Sequence, residues 1–99
     1  MYVIRDIMHC KPGKVRPMVE NFKLMNKVMK KEGFGEMRIM TDVSAEQYWT
    51  VVVETEVKNI KDYFDMTLSP KANKQLEKVM KDYHELVQNG RREIYKLEN

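Results

Sequence analysis

Five polar residues have the types and spacing to hold a small molecule: Arg5, His9, Arg38, Asp42 and Glu54. Arg5 and His9 stand four apart in the stretch Tyr2–Cys10, so strand alternation puts them on the same side as Val3 and Ile7. Arg38 and Asp42 share one side of a second extended stretch, and Glu54 belongs to a third. Guanidinium and carboxylate groups together orient a ligand through charge-assisted hydrogen bonds. A histidine among them could act as a general base or contact an anion. Simpler readings stand beside these. The charges could form cross-strand ion pairs that set the register of a dimer, and His9 could be a solvated strand end.

The remaining candidates are weaker. His84, next to Tyr83, could ligate a metal, but an exposed helix histidine explains it as well. Trp49 with Tyr48 could stack on a planar molecule, although the apolar side on which Trp49 falls favours core packing. Cys10 is the single cysteine. It has no CxxC partner and no histidine at a diagnostic spacing, so it reads as a buried structural thiol and no intrachain disulfide can form. Several of the nine methionines fall at helical spacing and read as core filling. There is no Walker-type glycine loop, no GxGxxG, no GxSxG and no metal-spaced His/Cys set. Neither a metal nor a cofactor is therefore expected.

The elements that must position these residues follow from periodicity. Of the 99 residues, 42% are apolar and 33% charged, which suits one small globular domain spanning residues 1–99. The formal charge of +3 comes from 18 basic and 15 acidic residues, with the lysines dispersed among apolar positions. Nucleic-acid binding calls for a clustered basic surface, so it is not expected. No apolar run approaches a membrane span, and no basic segment followed by an apolar run opens the chain. With a lone thiol as well, a cytoplasmic location is expected.

The first strand is Tyr2–Cys10, and Lys11-Pro12-Gly13 turns it into a helix. Val15, Met18, Phe22, Met25 and Met29 make that helix's apolar stripe, and Gly33 stops it. Strands at about 36–43 and 48–57 come next, joined through Ser44–Gln47. A helical stretch over 59–88 starts on the N-cap Asn59 and restarts at Ser69-Pro70, and Asn89-Gly90 ends it. A last strand covers about 91–97. Two strand–helix–strand units in tandem fold most simply into one antiparallel sheet with helices on one face, in strand order 4-1-3-2.

Alternation assigns Ile4, Met8, Cys10, Met37, Ile39, Val43, Trp49, Val51, Val53, Val57, Tyr95 and Leu97 to the helix side. Asp6 falls on that side too, without an explanation. The other side carries Val3, Ile7, Met40, Val52 and Ile94 among Arg5, His9, Arg38, Asp42, Glu54 and Lys96. That is more apolar than a solvated sheet face should be. A second copy of the chain is expected to cover it, leaving a semi-enclosed cavity for a small organic ligand near the five polar residues.

The opening Tyr2-Val3-Ile4-Arg5 leading to Lys11-Pro12-Gly13-Lys14, the strand Trp49-Thr50-Val51-Val52-Val53-Glu54, and the ending Gly90-Arg91-Arg92-Glu93-Ile94-Tyr95 resemble the dimeric α/β-barrel superfamily. The opening and ending look most like its NIPSNAP-like group, near the antibiotic-biosynthesis monooxygenase type. The resemblance covers the whole chain in topology. It implies an α+β, ferredoxin-like βαββαβ protomer that closes a barrel with its twin. The superfamily includes cofactor-independent monooxygenases, haem-degrading enzymes and muconolactone isomerase-type enzymes. The haem-degrading relatives add a tryptophan to the helix that carries the histidine and an asparagine to the first strand. Here the last helix has His84 without a tryptophan, and the first strand has no asparagine, so haem is not expected. Two function classes stay open: a protein that binds or oxidises a small organic molecule, and a non-catalytic dimerisation module.

Overall fold

The computed structural model describes residues 1–31, 33 and 35–99, and of residues 71 and 72 the backbone alone. The strands are β1 (Tyr2–Cys10), β2 (Arg38–Thr41), β3 (Thr50–Val57) and β4 (Val87–Lys96). The helices are α1 (Val15–Lys31), α2 (Ile60–Thr67), α3 (Pro70–Val79) and α4 (Tyr83–Leu86). The sheet is antiparallel throughout, in the order β2-β3-β1-β4 expected from the sequence. One dimension of the molecule is only 18 Å, the thickness of a sheet with a single helical layer.

Local chemistry accounts for most of the boundaries. Lys14 N–H bonds to Lys11 O at 3.0 Å, with Pro12 and Gly13 in between and Gly13 at φ 78°. This is a proline-glycine turn that needs a left-handed second residue. Gly33, at φ 81°, follows α1 as its stop. Asn59 caps α2 by accepting from Asp62 N–H at 3.1 Å, and Pro70 opens α3.

β2 is shorter than the sequence suggests because side chains take backbone groups at both of its ends. The Asn26 amide accepts from Met37 N–H at 2.9 Å and donates to Met37 O at 3.1 Å, so α1 takes the backbone that β3 would have paired. At the other end the Asp42 carboxylate accepts from Thr50 N–H at 2.9 Å and closes the connection over residues 42–49.

The core joins Met8 and Cys10 of β1 and Val51 and Val53 of β3 to Met18, Val19, Phe22 and Met29 of α1, with Met37 and Leu86. Cys10 is buried, as its reading as a structural thiol requires, and burial raises its thiol pKa.

The structure corrects three expectations. First, Val87 and Gln88 are strand rather than helix: the helical stretch breaks after α3, α4 is a single turn, and Cys10 pairs with Val87. An apolar residue at 87 fits either period, and pairing with β1 decides the matter.

Second, Val43 is fully exposed, and Tyr48 and Trp49 lie at the surface of the connection. Trp49 has a φ of 59°, a left-handed conformation that ends the alternation one residue before β3. Its expected place in the core is not observed.

Third, β4 is phased the other way. Ile4 pairs with Ile94 and Val3 with Tyr95, so Ile94 and Lys96 are on the helix side while Glu93 and Tyr95 are on the open side. Adjacent apolar residues, Ile94 and Tyr95, leave the phase of a period of two undetermined. Leu97, placed by sequence on the helix side, lies beyond the end of β4 and is partly exposed.

Candidate functional site

The five residues singled out by sequence fall in two neighbouring groups on the open sheet face. Register aligns Glu93, Arg5, Glu54 and Arg38 in one row across all four strands, alternating in sign. Arg5 reaches Glu54 with Nε at 3.0 Å and Nη2 at 2.9 Å, and Arg38 Nη2 binds the other carboxylate oxygen. Arg5 also lies over the Tyr95 ring, 5.4 Å from its centroid. Burial alone would raise the Glu54 carboxyl; the hydrogen bonds and charges of Arg5 and Arg38 outweigh it and hold the pKa below the ordinary value.

His9 and Asp42 meet at Thr50 instead. Thr50 Oγ1 donates to Gln47 O at 2.8 Å, so its lone pairs receive His9 Nδ1–H at 3.1 Å. His9 Nε2 faces Arg91 Nη1 at 3.4 Å. His9 is buried, not the solvated strand end considered from sequence.

A shallow concavity of about 370 Å³ lies over these groups. Val3 and Ile7 are already covered in the single chain, and the more open apolar side chains of this face are Met40, Val52 and Tyr95.

A larger cavity, about 680 Å³, opens between the helices and the other sheet face. Its walls include Met8, Phe22, Met25, Met29, Met37 and Met80. Here Asp6 finds its explanation. It pairs across the ladder with Arg92, which grips it in a fork: Nε to Oδ1 at 2.7 Å and Nη2 to Oδ2 at 3.2 Å. The hydrogen bond to Asp6 raises the Arg92 pKa despite partial burial, so the guanidinium stays charged.

Two phenols face the same cavity. Burial is the main reason that the Tyr63 and Tyr83 pKa values rise, with the Asp6 charge adding to both, so each ring stays protonated. Neither hydroxyl hydrogen-bonds a described residue. His84 meets the Tyr83 ring edge-on, with centroids 5.4 Å apart, and is otherwise exposed at the rim.

Sequence reasoning missed Arg92, Tyr63 and Tyr83. The available signal was Asp6, a charge on an apolar face, which demands a partner of opposite charge. Locating that partner required the β4 register.

No family model matches the chain, and no curated protein matches it. Solved structures do match over nearly the full length. A NIPSNAP family protein of Agrobacterium tumefaciens superposes with a TM-score of 0.78 at 9% identity, covering 96% of this chain and 90% of that one. A Nitrosomonas europaea protein named for antibiotic biosynthesis monooxygenases gives 0.72 at 17% identity, covering both chains completely. A Bacteroides fragilis protein, described as dimeric and of ferredoxin-like fold, gives 0.68 at 11% identity, covering 97% of this chain and 96% of that one.

The chain is thus an α+β protein with a ferredoxin-like fold. It shares that fold with the NIPSNAP and antibiotic-biosynthesis-monooxygenase structures to which its opening and ending pointed. Among the described residues no helix is long and apolar enough to cross a membrane.

Proposed function

We propose that this protein binds a small organic molecule in the cavity between its helices and sheet, and pairs with a second copy through the open sheet face. The observation that carries the reading is the cavity itself. About 680 Å³ of methionine- and phenylalanine-walled space, with Asp6, Arg92, Tyr63 and Tyr83 at its polar part, suits an organic molecule better than solvent. The ligand is placed here and not among Arg5, His9, Arg38, Asp42 and Glu54 because the concavity over those residues is smaller and shallow, about 370 Å³, and its buried carboxylate, Glu54, is already held by Arg5 and Arg38. Their alternating row suits a second function, setting the register of two facing sheets. One fold neighbour is described as dimeric, which supports the pairing.

The names of other fold neighbours include monooxygenases, so oxidation of the bound molecule is the reaction to look for, with an oxygen electrode and a panel of quinols. Binding is the first test. A neutral fluorescent probe, N-phenyl-1-naphthylamine, should brighten on entering the cavity. Met25→Trp, which fills it from α1, should weaken that binding at least tenfold with the fold intact by circular dichroism. Unchanged binding in Met25→Trp would remove the cavity from consideration.

A further inference from the structure

The Asp6–Arg92 fork leaves half of the arginine unused. A guanidinium has five N–H groups. Asp6 takes the edge formed by Nε and Nη2. The opposite edge, Nη1 with the second hydrogen of Nη2, bonds no described residue. That edge matches two oxygens held on one carbon, which is why arginine recognises carboxylates in a bidentate manner. Tyr63 and Tyr83 line the same cavity with hydroxyl groups that have no partner among the described residues. Asp6, the one carboxylate among the described residues that line the cavity, is already bonded to Arg92, so no unpaired carboxylate there opposes an acidic ligand. Away from it, Met25, Met29, Met37 and Met80 offer a polarizable wall that adapts to flat or flexible hydrocarbon.

Resting on the cavity reading above, we propose that the ligand is a monocarboxylate with an apolar body: the acid group meets the free edge of Arg92 and the hydroxyls of Tyr63 and Tyr83, and the hydrocarbon lies against the methionines. Protonated phenols suit this arrangement, because a phenolate would repel the acid. Arg92 is partly exposed and sits where an acid group can arrive from solvent, so desolvation of the ligand's charge is incomplete and its cost moderate. An apolar acid is favoured over a phosphate ester because most of the wall is apolar and a single guanidinium edge serves two oxygens, not three.

The test is calorimetric titration at pH 7 with decanoate and 2-naphthoate, each against its primary amide, alongside the neutral probe. Each acid should bind at least tenfold more tightly than its amide. Arg92→Lys keeps a charge for Asp6 but lacks the planar edge, and should erase that preference while leaving probe binding in place. Should Arg92→Lys fail to fold, Tyr63→Phe and Tyr83→Phe decide: each should cut the acid preference severalfold. Equal affinity for acid and amide, or a full preference surviving in both phenylalanine variants, overturns the carboxylate while the cavity reading stands. If neither probe nor any acid or amide binds, both readings fail together.

Discussion

Replacing Glu54 with glutamine isolates the charge at the centre of the open face. The side chain keeps its shape but can no longer act as the anion between two arginines. Glu54 is 10% exposed, whereas Arg5 and Arg38 are 39% and 62% exposed. Hydrogen bonds to a charged group are worth about 1.5–3 kcal/mol, and solvent-exposed ion pairs about 0–1 kcal/mol. With the carboxylate buried and both arginines partly exposed, the loss should be about 1–2 kcal/mol. At about 4–8 °C per kcal/mol for a domain of this size, the melting temperature should fall by about 5–15 °C.

The pH dependence gives the sharper check. The folded pKa of Glu54 lies below its ordinary 4.5. The stabilisation is therefore complete above pH 4.5 and is lost as pH falls through the lower, folded value. Thermal melts of both proteins at one fixed concentration, from pH 7 to pH 3, should show a constant gap at the neutral end that closes towards the acid end. A gap that persists unchanged at pH 3, or no gap at pH 7, would show that the charge row does not stabilise the fold as argued.

Val52→Lys places an ammonium beside Ile7 and Met40 on the open face; light scattering at micromolar concentration should show association weakened at least tenfold, with the helix-side core unaffected. A monomeric wild type would refute the pairing outright. Trp49→Gly relieves a left-handed backbone at an exposed position, so the melting temperature should hold or rise, by up to about 1 kcal/mol in stability, despite loss of the largest side chain in the chain. Burial in the core would instead have cost about 3–5 kcal/mol. In an alkaline titration followed at 295 nm, Tyr63 and Tyr83 should ionise above the ordinary 10.0, and Tyr63→Phe should remove one late step. Because their folded pKa values are raised, the stability that they contribute is present below pH 10.0 and lost as pH rises through the folded values.

Much of this protein could be read from local chemistry. β1 runs from Tyr2 to Cys10 as its alternation indicates, and α1 buries Met18, Phe22 and Met29 along the stripe set by steps of three and four. Gly13, Gly33, Asn59 and Pro70 mark turns, stops and starts because each has a backbone preference that operates within a few residues. The strand order followed from short connections and right-handed crossovers. That Arg5, Glu54 and Arg38 share one sheet face was visible as parity on three strands; that they form one row came from the register.

What tertiary structure decided is everything that depends on long-range register. The bulge between His9 and Cys10 and the pairing of Cys10 with Val87 set the start and phase of β4, which its own mixed sequence does not specify. That phase moves Arg92 under the helices and opposite Asp6, turning an isolated charge on an apolar face into a satisfied pair with a free guanidinium edge. Trp49 left the core because the hydrogen bond from Thr50 to Asp42 fixed a turn that alternation does not encode. The cavity belongs to no single segment: it is the space left between the four helices and the sheet once their side chains meet, and only the packed molecule has it.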